Sequence, residues 1–195
     1  MIPKRIYEIW INPDPMPDNF REYVESWKSV MPYYEIVSIS LDNVKRNDFI
    51  NKAIERNKYA LVSHYARCQE IYENGGIYMD LDVEAVRPFD DLLDNKMFAG
   101  WEDRLVFNNA VFGAEAGHPF LKKCLDYMDA YDIDSPQVEL HTGPWMFTKL
   151  LTPDVTQYPP QYFYPYHYSQ QFSPDCITPE TYAIHHWAHS WWKNA

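Results

Sequence analysis

The sequence predicts an α/β fold with a mixed, mostly parallel sheet flanked by helices. Short apolar runs typical of buried strands alternate with segments whose apolar residues recur at helical spacing. The strands are predicted at 5–11, 34–40 and 77–81, and the helices at 19–31, 42–56 and 58–73. This order favours parallel strands joined by helical crossovers. Because ligands of such folds bind at the carboxyl ends of the strands, Trp10 and the acidic residues after the third strand are expected at one edge.

The second half of the chain is less regular and predicts a small irregular C-terminal part. Strands are expected at 97–102, 108–112 and 182–187, and a helix at 118–131. Thr142, followed by Gly143 and Pro144, indicates a helix start with threonine as the N-cap. The segment 158–168 is rich in tyrosine and proline. We expect it to lie extended over the surface, with its rings flanking an acceptor.

Composition narrows the class of protein. The 195 residues predict one catalytic domain, 1–195, and the net charge of −11 disfavours binding to nucleic acid or to anionic membranes. No apolar run has the length of a transmembrane segment, and the start lacks the apolar stretch of a signal peptide. Three widely spaced cysteines form no disulfide or zinc pattern, which favours a cytoplasmic location. An aromatic content of 17% suits contacts with sugars or nucleosides.

The most informative motif follows the third predicted strand. Gly75 and Gly76 end the preceding helix, and Asp80 and Asp82 lie two residues apart, so both carboxylates point to one side of an extended chain. Two such carboxylates repel each other unless a proton or cation lies between them. Oxygen ligands suit Mg²⁺ or Mn²⁺, which often bring substrate phosphates. The alternative is a solvated acidic turn.

Three further residues are candidates on their own chemistry. Arg67 shares a helix face with Ser63 and could bind a diphosphate or sugar hydroxyls; the alternative is a pair with a surface carboxylate. One of the three histidines of the tail, His185, His186 or His189, could complete the metal site; the alternative is packing on aromatic rings. Trp10 could stack on a base; the alternative is a place in the core.

Several segments in order carry a resemblance to a known family: 2–10, 26–36, 59–67, 75–84, 109–119, 142–144 and 183–191. They resemble the bacterial Asp-x-Asp glycosyltransferases of glycosyltransferase family 32, a group that includes capsular-polysaccharide synthesis proteins. The resemblance implies a Rossmann-type GT-A fold and a UDP- or GDP-sugar donor. It also implies Mn²⁺ or Mg²⁺, a glycan or lipid-linked acceptor, and retention of anomeric configuration. With a lipid-linked acceptor, the membrane periphery is an alternative to a purely cytoplasmic location.

The resemblance also assigns roles to residues of this chain. Catalytic roles fall to Asp80, Asp82 and Arg67, and metal binding to Asp80, Asp82 and His185, with Asp82 the more direct ligand. The predicted substrate-binding residues are Trp10, Ser63, His64, Tyr78, Asn109, Ser190 and Trp191. Two positions depart from the family pattern: Tyr7 replaces a frequent histidine, and His64 replaces an aspartate thought to hold the donor sugar.

The sequence therefore predicts a metal-dependent retaining glycosyltransferase. The departure at His64 keeps a second hypothesis open, a relative that binds nucleotide sugars or glycans without turnover. A metal-dependent phosphohydrolase would use the two aspartates but would leave Trp10 and the tail without roles.

Overall fold

The computed structural model describes residues 1–188 and contains a central sheet, a small second sheet and helices on both faces. The helices are α1 (Asp18–Val30), α2 (Asp48–Glu55), α3 (Tyr59–Asn74), α4 (Pro119–Asp129), α5 (Val138–Thr142) and α6 (Pro144–Leu150). The strands are β1 (Arg5–Trp10), β2 (Glu35–Ser40), β3 (Gly76–Met79), β4 (Val83–Ala85), β5 (Met97–Trp101), β6 (Phe107–Ala114), β7 (Thr156–Tyr158) and β8 (Ala183–His185).

The central sheet has the strand order β2-β1-β3-β6-β5-β7. β1 is parallel to both β2 and β3, and β5 is parallel to β7, whereas β6 runs antiparallel to both of its neighbours. The predicted α/β fold with a mostly parallel sheet is therefore confirmed. The carboxyl ends of β1, β3 and β5 and the start of β6 consequently meet at one edge of the sheet.

Two apolar cores lie on opposite faces of this sheet. One contains α2, α3, α4 and α6, and the other contains α1, β4 and the aromatic residues around Phe163. α3 is buried around most of its circumference, as expected of a helix packed between a sheet and other helices. Trp27 of α1 is fully buried, and its indole N–H donates to the Val83 carbonyl at 2.7 Å. Among the described residues, no helix is both long and apolar enough to cross a membrane.

The two glycines before β3 allow that strand to enter the sheet. Gly75 has φ of 67° and ends α3, as predicted from the sequence. Gly76 has φ of 123°, and a Cβ there would lie 2.9 Å from the Arg5 carbonyl oxygen. A side chain on Gly76 would push β3 away from β1, and one on Gly75 would collide with Pro3 and the Ala116 backbone, so the Asp-x-Asp segment depends on both glycines.

Several local predictions were wrong, and each has a physical reason. α2 begins six residues later than predicted, because Asn47 provides the N-cap by accepting from the Ile50 N–H. Thr142 ends α5 instead of capping α6, and its hydroxyl donates to the Val138 carbonyl. The tyrosine-rich run is not simply extended over the surface: it supplies the last residue of β7 and a turn of 3₁₀-helix, and buries Phe163 and Tyr164.

The tail returns to the Asp-x-Asp segment through the second sheet. β8 pairs antiparallel with β4, and this pairing places Val83 opposite His185. The His186 N–H then donates to the Asp82 carbonyl at 2.8 Å. β4 directly follows Asp82, so the pairing brings the tail histidine to the aspartates.

Candidate active site

A cavity of about 610 Å³ opens at the edge where the strand ends meet. Trp10 ends β1, the aspartates follow β3, Glu102 follows β5, and Asn108 and Asn109 begin β6. We call one side of the cavity the charged wall; it consists of Arg67, Tyr78, Asp80, Asp82 and His185. We call the other side the apolar wall; it consists of Val106, Pro136, Leu140, Pro144 and Trp145.

Asp80 is held by two neighbours in the charged wall. The Tyr78 hydroxyl donates to Asp80 Oδ1 at 2.5 Å, and Arg67 Nη1 lies 3.2 Å from the same oxygen. Burial raises the pKa of Asp80 above its ordinary value; Arg67 opposes this rise and the Asp82 charge adds to it. The position of this carboxylate is therefore fixed from two directions.

Asp82 is held by the tail. His185 Nε2 lies 3.1 Å from Asp82 Oδ1, and the Ala188 N–H donates to Oδ2 at 2.8 Å. Burial raises the pKa of Asp82, but the charge and hydrogen bond of His185, together with the Ala188 N–H, outweigh this and lower it to about 2. Burial lowers the pKa of His185, whereas Asp82 raises it, and the net shift is upward.

Asp80, Asp82 and His185 form a cluster that fits a divalent cation. One ligand atom from each residue lies within 4.8 Å of the others. Two carboxylates and one imidazole suit Mn²⁺ or Mg²⁺. His185 Nδ1 is buried and has no hydrogen-bond partner among residues 1–188, so one ring nitrogen remains free. The excess negative charge of the two carboxylates gives a cation a favourable place between them.

Arg67 is fully buried, and its guanidinium holds neighbouring groups of the charged wall in place. Its Nε donates to the Ser63 carbonyl, Nη1 donates to the Asn109 carbonyl and faces Asp80, and Nη2 donates to Ser63 Oγ. Its guanidinium also lies 4.3 Å from the centroid of the Tyr78 ring. A guanidinium has five N–H bonds, so these contacts leave one for a ligand. Arg67 therefore orients Asp80 first and can contact a substrate with one remaining N–H.

His64 joins the two walls. It lies on α3 one turn before Arg67 and lines the cavity, and its Nδ1 is 3.0 Å from the hydroxyl of Thr142 at the end of α5. Burial and the nearby Arg67 charge lower the pKa of His64 to about 3. The imidazole is therefore neutral near pH 7.

Asn109 presents a donor to the cavity without a partner in the protein. Its side chain is 2% exposed, and Nδ2 has no hydrogen-bond partner within the described part of the chain. An unpaired buried amide costs free energy unless a ligand or water binds to it. Neighbouring Asn108 is satisfied, since it donates to Glu102 and accepts from the Ala110 N–H.

Trp10 and the apolar wall form the mouth of the cavity. Trp10 is half-buried, and its indole N–H donates to the Asp14 carbonyl at 2.7 Å, which fixes the ring. Trp145 and Leu140 remain 47% and 52% exposed although both line the cavity. Large apolar side chains left open beside a cleft are typical of a binding surface.

The structure brings most of the residues predicted for the site to one cavity. Ser63 is the exception among those described: it is buried beneath the wall, where it accepts from Arg67. Ser190 and Trp191 lie outside the described residues. Of the tyrosine-rich run, Tyr168 lines the cavity, and Tyr164 packs against His185 with ring centroids 5.8 Å apart.

Sequence analysis missed two groups of residues. Glu102 is a partly buried carboxylate in the cavity, and burial raises its pKa despite its hydrogen bond from Asn108. Its position at the end of a predicted strand was the available signal. The apolar wall was also missed, because α5 and α6 are short and their place over the cavity follows from tertiary packing alone.

The fold and the site define a class of protein, an α/β protein whose polar cavity lies at the edge where the carboxyl ends of the sheet strands meet. Residues 17–99 match the family described as glycosyltransferase sugar-binding region containing DXD motif. This span runs from α1 to β5 and contains Arg67, Asp80 and Asp82. This part of the chain therefore matches the DXD glycosyltransferases, and the resemblance stated from the sequence is confirmed.

Two curated relatives show how far this similarity extends. A human alpha-1,4-N-acetylglucosaminyltransferase is 31% identical over 103 residues, which cover 52% of this chain and 28% of that protein. A glycosyltransferase described as uncharacterized, L373 of Acanthamoeba polyphaga mimivirus, is 27% identical over 172 residues, covering 81% of this chain and 66% of the relative. The chain thus spans less than a third of the human relative's length.

Solved structures share the fold. The PaToxG glycosyltransferase superposes with a TM-score of 0.64 at 20% identity, covering 77% of this chain and 69% of that one. The galactosyltransferase LgtC, solved with donor and acceptor sugar analogs, gives a TM-score of 0.54 at 14% identity, covering 93% and 86%. At these identities the likeness establishes the GT-A fold.

Proposed function

We propose that this protein is a metal-dependent retaining glycosyltransferase that moves a sugar from a nucleoside diphosphate donor to a hydroxyl acceptor. The observation that supports this most is the cluster of Asp80, Asp82 and His185 in the wall of a cavity that Trp10 also lines. UDP- or GDP-sugars are the proposed donors. A glycan or lipid-linked glycan is the proposed acceptor, as in polysaccharide biosynthesis.

Each part of the donor has a matching group in the cavity. Trp10 offers an aromatic surface to the base, and Asn109 Nδ2 offers a free N–H to a phosphate or sugar oxygen. Asp80, Asp82 and His185 would hold Mn²⁺ or Mg²⁺. When bound, the cation would neutralise charge on the diphosphate leaving group.

The protein's own residues prepare this site before the donor arrives. Arg67 and Tyr78 fix Asp80, and the tail fixes Asp82, so the carboxylates need little rearrangement. In the proposed reaction, the bond from the anomeric carbon to the phosphate oxygen breaks and a bond to the acceptor oxygen forms. The acceptor proton passes to the departing phosphate oxygen on the same face, which gives retention.

The direct test is a panel of nucleotide sugars with Mn²⁺ or Mg²⁺, followed by mass spectrometry of the donor and of added acceptors. We expect one donor class to be consumed, with consumption lost in chelator and restored by added metal. NMR of the product is expected to show the donor's anomeric configuration. An inverted product would contradict the retaining part of the proposal.

Binding measurements distinguish the proposed glycosyltransferase from the alternative, a relative that binds nucleotide sugars or glycans without turnover. Calorimetry with nucleoside diphosphates and nucleotide sugars reports affinity without turnover. Tight, metal-dependent donor binding with no consumption of any donor would favour the binding relative. Unchanged affinity in chelator would end the metal-dependent proposal.

A further inference from the structure

Glu102 is a carboxylate of the cavity to which the proposed reaction gives no role. It follows β5, lines the cavity and is partly buried. One oxygen, Oε2, accepts from Asn108 Nδ2, whereas Oε1 has no hydrogen-bond partner among residues 1–188. In the same described part of the chain, no lysine or arginine forms an ion pair with Glu102. Oε1 is therefore available to accept a hydrogen bond from a ligand.

The orientation of the Asn108 amide determines which Glu102 oxygen is free. Asn108 Oδ1 accepts from the Ala110 N–H at 2.7 Å, so the NH₂ group is the end that faces Glu102. A backbone N–H can only donate, which excludes the flipped amide. Asn108 therefore binds Oε2 as a donor, and Oε1 faces the cavity as an acceptor.

The loop that carries Glu102 also borders the apolar wall. The Glu102 N–H donates to the Val106 carbonyl at 3.0 Å, which closes the loop between β5 and β6. The following residue, Phe107, donates its N–H to Thr148 Oγ1 of α6 at 2.9 Å. Trp145 precedes Thr148 by three positions, so the two lie on one face of α6. The β5–β6 loop and α6 thus present a carboxylate and an exposed aromatic ring to one cavity.

The charge of Glu102 restricts the chemistry of its ligand. Glu102 does not belong to the cluster of Asp80, Asp82 and His185 that could hold a cation. A carboxylate without a cation repels a diphosphate and attracts groups that donate a hydrogen bond. An aromatic ring beside it suits a sugar, because the C–H face of a sugar packs on the ring while its hydroxyls reach the carboxylate.

We propose that Glu102 is an acceptor-binding residue whose Oε1 accepts a hydrogen bond from a hydroxyl of an acceptor sugar that packs on Trp145. This inference rests on the proposed glycosyltransferase function and specifies its acceptor. The unit that enters the cavity beside Glu102 is a sugar, and a purely apolar acceptor is excluded. Asn108 is a positioning residue, since it acts by directing Oε1 into the cavity.

Glu102→Gln tests this proposal because it reverses the polarity of one atom. Asn108 still donates, so the glutamine oxygen must face Asn108 and the glutamine NH₂ must replace Oε1. The variant removes the negative charge and puts a donor where the wild type has an acceptor. Glutamine also resembles a protonated Glu102, so unchanged acceptor binding in the variant would overturn the proposal.

Binding is measured with simple sugars, so that it does not depend on turnover. The probes are methyl glycosides of glucose, galactose, mannose and N-acetylglucosamine, observed by saturation-transfer NMR with Mg²⁺ and UDP or GDP present. We expect at least one glycoside to bind the wild type and to bind Glu102→Gln at least about tenfold more weakly, as for loss of a hydrogen bond to a charged group. Absence of binding by every glycoside to the wild type would overturn the proposal.

Deoxy versions of the bound glycoside identify the hydroxyl. We expect one position at which loss of the hydroxyl weakens binding to the wild type about tenfold, but has little effect in Glu102→Gln. Equal losses in the two proteins at every position would contradict a contact with Glu102. If Glu102→Gln does not fold, as judged by circular dichroism, Glu102→Ala provides the same comparison with both oxygens removed.

Donor measurements separate a role in acceptor binding from a role in donor binding. In Glu102→Gln we expect nucleotide-sugar affinity and donor hydrolysis close to wild type, and a higher acceptor KM in transfer. Glu22→Gln, the same change at an exposed residue of α1 away from the cavity, is the matched control. If donor affinity falls with acceptor binding unchanged, the assignment of Glu102 fails while the glycosyltransferase proposal stands. If no nucleotide sugar binds, both fail.

Discussion

The two walls of the cavity differ in how their side chains are held. In the charged wall every ionisable side chain has at least one partner within 3.2 Å, and Arg67 has contacts with three other residues through its guanidinium nitrogens. In the apolar wall Leu140 and Trp145 are about half exposed. Under the proposed function, we expect the charged wall to bind the diphosphate of the donor and the apolar wall to bind the acceptor.

The largest effect is expected at Asp82. Asp82→Asn removes one charge from the proposed metal site and weakens the link to His185. We expect donor turnover to fall by more than the roughly 10- to 100-fold that changes around metal ligands cost. Mn²⁺ affinity by electron paramagnetic resonance should fall in parallel. Asp94→Asn, the same change at an exposed aspartate, is the control, and equal loss in both variants would contradict the site.

Arg67→Lys tests whether the charged wall depends on an interlocked geometry. Lysine keeps the positive charge but cannot contact Ser63, Asn109 and Asp80 at once. We expect the free energy of unfolding to fall by about 1–3 kcal/mol and turnover to fall at least about tenfold. Urea unfolding and donor hydrolysis provide the two measurements. Full turnover in a destabilised variant would limit Arg67 to a role in folding.

Trp10→Ala probes the base end of the donor site. If the ring stacks on a base, affinity for nucleoside diphosphate should weaken by roughly 1–3 kcal/mol. Trp10→Phe should recover part of this loss, because phenylalanine keeps an aromatic face. Calorimetry gives the affinities, and circular dichroism checks the fold. A folded Trp10→Ala protein with wild-type affinity would remove the stacking role.

Trp145→Ala tests whether the two walls have different functions. Because Trp145 is 47% exposed, its loss should change the free energy of unfolding by less than about 1 kcal/mol. Donor hydrolysis should stay close to wild type, while the acceptor KM rises several-fold. If donor hydrolysis falls as much as transfer, the apolar wall also serves the donor and the division proposed above is wrong.

The smallest effect at neutral pH is expected at His64, the residue between the two walls, because its contribution to stability changes only at acidic pH. The pKa of His64 is about 3 in the folded protein, below its ordinary 6.5, so the unfolded chain binds a proton that the folded protein does not. Stability contributed by His64 is therefore present above pH 6.5 and is lost as pH falls toward 3, by at most about 1.4 kcal/mol per pH unit. Unfolding of His64→Gln from pH 7 to 4 should show a shallower loss; an unchanged slope would contradict the shifted pKa.

The regular first half of the fold could be predicted from sequence because its signals are local. Apolar periodicity located β1, α1, β2, α3 and β3, and the glycines at 75 and 76 marked the turn before the aspartates. Two aspartates at strand spacing then pointed to a cation. These features depend on residues close together in the chain.

The rest of the site depends on contacts between distant residues. Thr142 looked like a helix cap, but its hydroxyl bonds back to Val138 and across to His64, 78 positions away. The register between β4 and β8 brings His185 to Asp82, and periodicity does not report on such a register. The apolar wall was missed for the same reason, since it is set by the packing of two short helices.

The pairing of β4 with β8 also has a consequence for the time at which the site is completed. Asp82 is held by Ala188, 106 positions later, so the ribosome delivers the two aspartates long before the segment that fixes them. Until β8 is synthesised, the nascent chain has the carboxylates without His185. The order of synthesis thus delays the complete cluster of Asp80, Asp82 and His185 until every strand of the central sheet has been made.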